Sequence, residues 1–468
     1  MKSDIIKKIE KIIGKKNIVQ SENDKKKYLT EWRNRYSGNA KAILKPKNVK
    51  EVSLLMKTFD KENVPVIPQG GNTGLVGGQI SYNSEHFVIS FERMNKVIKF
   101  NKEDQSIVVQ SGTLLSDIQN ICEENDMFFP LSLASEGSCT IGGNIATNAG
   151  GVAVLYYGNT RNLTLGLEIV LPDGTIIDSL KTLKKDNTGY SLKDLFIGSE
   201  GTLGLITAAS LQVFFKPRDK YTFFCSVKNL KRSIELLRFL QKNISTPLTA
   251  FELMNSNSIE TVLNHIEKTN FPLNKKSDWY ILFEFSQFDD DMSTIDKLLK
   301  IISDSHKQKL ISEVVFANST KQTKELWALR ENISEAQKED GASIKNDISI
   351  PIFSIDNFIK NANEIVEKTI PKSINIIFGH VGDGNIHYNI TQPKDMNKKK
   401  FLTLESQLKS QLLELIKKYN GSFSAEHGIG IVRKKDALKF KKDEIAVMKR
   451  IKKAIDPKNI INPGKIFD

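Results

Sequence analysis

The chain has 468 residues, too long for one ordinary core, so we expect two or three domains. The net charge of +13 comes from lysines spread along the chain, without a basic stripe or a nucleic-acid-binding motif, so no nucleic-acid partner is expected. Three scattered cysteines argue against cysteine-ligated clusters, and no apolar run is long enough for a transmembrane helix. We therefore predict a cytoplasmic protein and leave peripheral contact with the inner membrane open.

The predicted elements change in character along the chain. The first 60 residues show helical spacing of apolar residues, notably from Val49 to Phe59. From Val64 to about Pro217, short β-rich runs alternate with glycine-rich loops, and after that strands alternate with long helical patterns. We predict an α+β fold with domains at residues 1–218 and 219–420, and a C-terminal segment, 421–468, that packs back on the first domain. The predicted strands are Val64–Ile67, Phe87–Ser90, Ser106–Val109, Leu167–Leu171, Thr222–Cys225, Trp279–Phe285 and Ile374–Phe378.

Three glycine-rich loops dominate the first half, at residues 68–79, 135–151 and 198–206. None matches the Rossmann fingerprint or the P-loop. Glycine lets main-chain N–H groups approach a ligand closely, and successive N–H groups in such turns form anion-binding nests. One such loop is usually only a turn, but three in one domain can enclose a long ligand that carries a pyrophosphate.

At these loops the sequence resembles the flavoproteins with a vanillyl-alcohol oxidase (p-cresol methylhydroxylase) type FAD domain. The resemblance covers nearly the whole chain and implies a two-part FAD-binding domain, an α+β substrate (cap) domain and a C-terminal helical segment. Some family members bond FAD to a histidine of the first loop; Asn72 stands there, which implies non-covalent FAD. The residues implied to bind FAD are Pro68, Gly70, Gly71, Asn72, Thr73, Gly74, Ser135, Gly137, Ser138, Gly142, Gly143, Ala146, Asn148, Gly150, Gly151, Glu200, Gly201, Gly204, Ile206 and Asn462.

Two polar, glycine-rich motifs near the C-terminus contain three of the six histidines. His380 and His387 are seven residues apart, and the glycines between them favour a strand, a bend and a second strand that bring both imidazoles together. Two histidines with a carboxylate, for which Glu426 is the candidate, are a common ligand set for catalytic zinc. Spacing alone leaves open whether they bind a metal or are structural histidines.

These motifs are similar to those of the D-lactate and D-2-hydroxyglutarate dehydrogenase branch. The resemblance implies that His380, His387 and Glu426 ligate a divalent metal, usually zinc in that branch, and that His427 is the catalytic base.

A third pattern lies between residues 327 and 351. Arg330 and Ser334 are four residues apart on a predicted helix, and Lys345 begins a β-like segment. From the residues alone this is a carboxylate site or an ordinary exposed helix face. The pattern is similar to the D-2-hydroxyglutarate dehydrogenase group, which implies that these three side chains hold the distal carboxylate of the substrate and that Asn389 contacts the substrate.

The resemblance therefore implies FAD-dependent, metal-assisted oxidation of D-2-hydroxyglutarate, or of a similar D-2-hydroxy dicarboxylate such as D-malate, to the 2-oxo acid. The partners expected are an anionic hydroxy acid and an electron acceptor such as an electron-transfer flavoprotein or a quinone, and a homodimer is left open. The first alternative is a D-lactate dehydrogenase or the flavin subunit of a glycolate oxidase. The second is a non-catalytic FAD electron-transfer subunit, and the third a nucleotide-binding protein that uses the loops for another ligand.

Overall fold

The computed structural model describes residues 2–34 and 37–467, which form two compact units. The first unit contains the chain up to Gly150, Gly158–Lys216 and the segment from Glu426 onward; the second contains Gly151–Tyr157 and Pro217–Ala425. The expected boundaries at 218 and 420 thus lie at 216 and 425. Gly151, expected in the FAD-binding domain, lies in the second unit, because the helix that follows it packs on a strand of that unit.

The strands of the described residues alternate with helices along most of the chain. The strands are β1 (Ile18–Val19), β2 (Ala42–Leu44), β3 (Val66–Gln69), β4 (Phe87–Ser90), β5 (Val97–Asn101), β6 (Ser106–Gln110), β7 (Met127–Phe128), β8 (Thr164–Val170), β9 (Ile176–Ser179), β10 (Leu205–Gln212), β11 (Phe214–Phe215), β12 (Asp219–Val227), β13 (Leu248–Asn255), β14 (Trp279–Gln287), β15 (Glu313–Phe316), β16 (Ser343–Ile344), β17 (Asp347–Ser349), β18 (Ile374–Gly379) and β19 (Asn385–Thr391).

The α-helices of the described residues range from one turn to four turns. They are α1 (Lys2–Ile13), α2 (Glu22–Leu29), α3 (Val49–Glu62), α4 (Leu115–Glu124), α5 (Ile141–Thr147), α6 (Val154–Tyr157), α7 (Thr160–Leu163), α8 (Lys193–Phe196), α9 (Leu230–Asn243), α10 (Ser256–His265), α11 (Thr294–Lys307), α12 (Thr320–Glu331), α13 (Ile333–Glu339), α14 (Ile355–Thr369), α15 (Lys398–Thr403), α16 (Glu405–Lys418), α17 (Lys434–Phe440) and α18 (Lys442–Ile455).

The first unit contains two main sheets. A four-stranded sheet has the order β1-β2-β4-β3, and a five-stranded antiparallel sheet has the order β5-β6-β10-β8-β9. Apolar side chains of α1 and α3 pack on the first sheet, where the rings of Phe59 and Phe87 stack with 5.3 Å between centroids. The C-terminal segment joins this sheet because Asn462 donates from its backbone N–H to the carbonyl of Val66.

The second unit is built on one large sheet with the order β15-β12-β14-β13-β18-β19-β16, in which β17 also pairs with β19. Its centre is aromatic: the rings of Phe223 and Phe283 stack 5.2 Å apart, and Phe251 lies beside them. Each strand run predicted in this region lies within an observed strand. Mixed helix and sheet in both units confirm the predicted α+β class.

No helix in residues 2–34 and 37–467 is long and apolar enough to cross a membrane. The three cysteines are buried free thiols.

Candidate active site

A cavity of about 150 Å³, partly open to solvent, lies within the first unit. The first and third glycine loops, helix α5 and the C-terminal segment all contribute to its wall. The predicted FAD-binding residues that line it are Pro68, Gly70, Gly71, Asn72, Thr73, Gly74, Gly142, Gly143, Ala146, Glu200, Gly201, Gly204, Ile206 and Asn462.

The first two glycine loops pack directly on each other, which explains why Gly70 and Gly71 cannot carry a side chain. A Cβ built on Gly70 would lie 2.3 Å from Thr140 Oγ1, and one on Gly71 would lie 2.0 Å from the carbonyl oxygen of Ser138. Both distances are far below van der Waals contact. The glycines therefore bring two backbone segments together at the cavity wall.

The cavity wall contains buried polar atoms without a hydrogen-bond partner within the described structure. Buried polar groups are normally hydrogen-bonded, so a cluster of orphaned atoms facing one cavity indicates a polar ligand. Their types, hydroxyl and amide oxygens, suit the ribityl, phosphate and ring-edge groups of a flavin nucleotide. The residues present therefore fit FAD. These atoms are Gln69 Oε1, Asn72 Oδ1, Ser111 Oγ, Thr140 Oγ1, Asn144 Oδ1 and Asn462 Oδ1.

Asn72, the residue at the place of the family's covalent histidine, has a left-handed backbone with φ of 57°. Its side-chain amide donates to the carbonyl of Thr30 at 2.8 Å and to that of Lys27 at 3.2 Å. Asparagine tolerates this conformation better than most residues and offers no nucleophilic nitrogen for a flavin bond. This environment supports the expectation of non-covalent FAD.

Several predicted FAD contacts are not among the residues lining the cavity. Ser135, Gly137, Ser138 and Gly150 do not line the cavity, and Asn148 uses its side-chain oxygen to accept from the backbone N–H of Arg161 at 2.9 Å. In contrast, the wall includes residues that sequence reasoning missed. These are Gln69, Val76, Gly78, Gln79, Phe91, Ser111, Cys139, Thr140, Asn144 and Thr147.

Glu200, predicted to contact FAD, has a second role at the cavity. Its carboxylate accepts from the backbone N–H groups of Ile429 at 2.6 Å and Gly430 at 2.7 Å, so it fixes the loop that follows His427. Burial raises the pKa of the Glu200 carboxyl, although these two hydrogen bonds and the charge of Lys465 oppose the shift. His427 itself lines the cavity, so the predicted base faces the space that fits the flavin.

Replacing Gly71 with alanine is expected to weaken FAD binding roughly tenfold or more, because overpacking a tight contact costs about 1–3 kcal/mol. The Cβ would force the first loop away from the backbone of Ser138. Flavin content and the dissociation constant of FAD, measured on folded protein, check this expectation. Gly189→Ala is the control, because its φ of 128° strains an alanine but its Cβ meets nothing within 4 Å on an exposed loop, so FAD affinity should stay that of the wild type. Equal FAD affinity in the two variants would contradict the packing argument.

His380 and His387 lie near the turn of an antiparallel hairpin in the second unit, His380 in the turn and His387 on the second strand. Strands β18 and β19 pair with Phe378 opposite His387, and the turn between them begins at His380. Gly384, with φ of 91°, allows this turn between the histidines, as the sequence predicted, and Gly379, with φ of 152°, precedes it. The imidazole rings of His380 and His387 lie 5.8 Å apart between centroids, a separation at which one nitrogen of each can reach a common ion.

A buried carboxylate connects this hairpin to the predicted substrate site. Glu252 on β13 is fully buried; its Oε1 lies 2.6 Å from His380 Nδ1 and its Oε2 accepts from Arg330 Nε at 2.7 Å. Burial alone would raise the pKa of Glu252, but the charges of His380 and Arg330, with their hydrogen bonds, outweigh it and hold the pKa at about 2. Glu252 is therefore a carboxylate in this site.

Arg330 and Ser334 do not share one helix as predicted. Helix α12 ends at Glu331 and α13 begins at Ile333, because Asn332 with ψ of −4° interrupts the helix. Arg330 is buried, and its guanidinium carbon lies 4.7 Å from the centre of the Phe378 ring, whereas Ser334 is exposed.

Lys345 and Asn389 lie on neighbouring segments of the same sheet. Lys345 stands between β16 and β17, both of which pair with β19, the strand that carries Asn389. Asn389 is buried; its oxygen accepts from the backbone N–H of Asn346 at 3.3 Å, and its amide donates to Gln337 at 3.1 Å. The second amide hydrogen of Asn389 can therefore be donated to a substrate.

Comparison with known proteins shows which class of FAD-binding proteins has this architecture. The model of FAD linked oxidases, C-terminal domain, matches residues 216–466, and that of the FAD binding domain matches residues 40–179. Among solved structures, p-cresol methylhydroxylase with substrate bound aligns with a TM-score of 0.76 at 16% identity, over 100% of this chain and 97% of that one. Alkyldihydroxyacetonephosphate synthase aligns with a TM-score of 0.74 at 17% identity, over 98% and 84%. The chain has the two-domain FAD-binding fold of p-cresol methylhydroxylase, and FAD is its cofactor.

Curated relatives define the family more narrowly. The mitochondrial D-2-hydroxyglutarate dehydrogenase of Arabidopsis thaliana is 36% identical over 97% of this chain and 80% of its own length. The D-2-hydroxyglutarate dehydrogenase of Stutzerimonas stutzeri (strain A1501) is 34% identical over 94% of each chain. The chain belongs to this family of FAD-dependent oxidoreductases.

Proposed function

We propose that the protein oxidises D-2-hydroxyglutarate to 2-oxoglutarate, using FAD and a divalent metal. The observation that carries the substrate assignment is the buried Arg330, whose guanidinium is fixed by Glu252 and Phe378 beside the histidine hairpin. A fixed guanidinium suits bidentate recognition of a carboxylate. A monocarboxylate such as D-lactate would not need this cation in addition to the groups that hold the reacting end.

In the proposed reaction, Arg330, Ser334 and Lys345 bind the distal carboxylate, and Asn389 donates a hydrogen bond to the substrate. Ser334 is exposed, so its hydroxyl is accessible to a ligand. Together these groups orient the substrate, which converts the reaction into an effectively unimolecular step.

The metal is proposed to be held by His380, His387 and Glu426, with zinc as the ion. Two imidazoles and a carboxylate are a donor set that zinc prefers at catalytic sites, where one position stays open for a ligand. An ion held there supplies Lewis-acid polarisation of the substrate's 2-hydroxyl group. The carboxylate of Glu252 contacts Nδ1 of His380 and so orients the ring, as partners of metal-binding histidines do.

His427 is proposed to take the proton of the 2-hydroxyl group as general base. FAD held by the glycine loops would supply the acceptor for the hydride of the C2–H bond. Glu200 holds the loop after His427 through two backbone hydrogen bonds, which keeps the imidazole at the cavity that fits the flavin. The reduced cofactor is proposed to be reoxidised by an electron-transfer flavoprotein or a quinone.

A substrate panel with an artificial acceptor tests the proposed function. D-2-hydroxyglutarate is expected to give the highest kcat/KM, followed by D-malate, with D-lactate and glycolate far lower. A preference for D-lactate or glycolate would instead support the alternative dehydrogenase or oxidase-subunit function. Absence of turnover with every acid, in protein that contains FAD, would support an electron-transfer subunit.

The variant Lys345→Met tests the distal-carboxylate site within this panel. A hydrogen bond to a charged group contributes about 1.5–3 kcal/mol, so kcat/KM for D-2-hydroxyglutarate is expected to fall roughly 10- to 150-fold, mainly through KM. Turnover of D-lactate, measured in parallel, should change little. Lys338→Met is the matched control, because Lys338 is an exposed lysine of α13 paired with Glu335. An equal loss for both acids would contradict a role at the distal carboxylate.

A further inference from the structure

One buried side chain is shared by the proposed metal site and the proposed substrate site. Glu252 lies on β13, a strand in which every residue is buried and most neighbours are apolar. A carboxylate in such a strand costs stability unless it is fully hydrogen-bonded or paired. Its two oxygens meet this need separately, one with an imidazole and the other with a guanidinium.

Backbone register explains why one carboxylate can reach both partners. Strand β13 pairs with β18 so that Leu253 lies opposite Gly379, which places Glu252 beside the next residue, His380. Helix α12 brings Arg330 to the same point, where Phe378 packs on its guanidinium. Phe378 also lies against the ring of His387, with 4.9 Å between ring centroids. Arg330 thus shares Glu252 with His380 and shares Phe378 with His387.

We infer that Glu252 is a positioning residue that holds the proposed metal ligand His380 and the proposed substrate anchor Arg330 in one fixed geometry. The inference rests on the proposed function. Because Oε1 accepts from Nδ1–H, the ring takes the tautomer in which Nε2 carries the lone pair that a metal ligand needs. Because Oε2 accepts from Nε–H, the two terminal nitrogens of the guanidinium fork are the ones directed to a substrate carboxylate.

The variant Glu252→Gln separates this role from a merely structural one. The Nε–H group of Arg330 can only donate, so the single amide oxygen of glutamine is expected to turn to Arg330. The amide NH2 then faces His380 Nδ1 and favours the opposite tautomer, with the proton on Nε2. Loss of such a supporting partner typically weakens metal binding about 10- to 100-fold.

The experiment titrates Zn²⁺ into metal-free wild-type protein and the variant, with folding checked by thermal unfolding and FAD content. Glu252→Gln is expected to bind Zn²⁺ about 10- to 100-fold more weakly and to raise KM for D-2-hydroxyglutarate, while FAD stays bound. Glu252→Asp keeps the charge but shortens the side chain by one methylene, so it should restore the tautomer only in part and show intermediate Zn²⁺ affinity.

Glu284→Gln is the matched control. Glu284 is also a buried sheet glutamate, on β14, but it accepts from Thr222 Oγ1 and Trp327 Nε1. Its variant should bind Zn²⁺ as the wild type does. Folded Glu252→Gln protein with wild-type Zn²⁺ affinity and KM would overturn the inference. Failure of the wild type itself to bind Zn²⁺ would instead contradict the proposed metal.

Discussion

Replacing His427 with alanine is expected to lower kcat for D-2-hydroxyglutarate roughly 10²- to 10⁴-fold, the range that a positioned general base contributes. The physical reason is that no other group is proposed to accept the proton of the 2-hydroxyl as the C2–H bond breaks. FAD should stay bound, because the glycine loops and the orphaned polar atoms of the cavity are untouched by the change. Steady-state turnover and the flavin absorbance of the purified variant measure both quantities.

His306→Ala is the matched control for this experiment. His306 is an exposed histidine near the end of α11 whose Nε2 lies 3.2 Å from the carbonyl oxygen of Ser312, within the second unit. Its replacement should leave kcat and FAD content unchanged. Turnover of His427→Ala within a factor of a few of the wild type would show that another group accepts the proton.

Removing the divalent metal is expected to lower turnover by about 10³-fold, since Lewis-acid polarisation of the reacting oxygen is worth several kcal/mol. Dialysis against a chelator, followed by elemental analysis, gives the metal-free protein, and added Zn²⁺ should restore activity. The flavin absorbance should not change, because the cavity that fits FAD is lined by glycines and by amide and hydroxyl side chains. Full activity in protein shown to be free of metal would refute a catalytic ion.

The flavin cavity was largely predictable because its signal is local. Glycines at Gly70, Gly71 and Gly201 mark turns and close backbone approaches wherever they occur. Most of the missed residues lie within the predicted loops themselves, but Phe91 and Ser111 lie outside them and reach the cavity through tertiary packing. Ser111, for example, follows β6 and meets the second loop because its carbonyl accepts from the N–H of Gly142 at 2.8 Å. No pattern in the sequence around Ser111 indicates that contact.

The residues around the proposed substrate site were harder to predict from the sequence. Helical spacing correctly predicted helix around Arg330 but not its interruption at Asn332, since asparagine is compatible with either outcome. Glu252 belonged to no motif, because its two partners come from other parts of the chain. A usable signal did exist: Glu252 is the one carboxylate in a mostly apolar strand, Leu248–Asn255. Buried charges of this kind are rare unless they are paired.

The predicted domain boundaries differ from the observed ones for a related reason. The segment 151–157 follows directly from the second glycine loop, so the sequence assigned it to the FAD-binding domain. Its short helix, Val154–Tyr157, packs on β13 of the second unit, a long-range contact that composition does not reveal.

The two strands near the N-terminus, β1 and β2, were also missed, because two and three residues are too few to show a period. The cytoplasmic location stays a prediction.

Anaerobic reduction of the bound flavin tests the central claim most directly. One equivalent of D-2-hydroxyglutarate, mixed with the metal-loaded protein without any acceptor, should bleach the visible flavin absorbance and yield an equal amount of 2-oxoglutarate. The L enantiomer should leave the flavin oxidised. An oxidised flavin after mixing with D-2-hydroxyglutarate, in protein that contains both FAD and Zn²⁺, would contradict the proposed reaction.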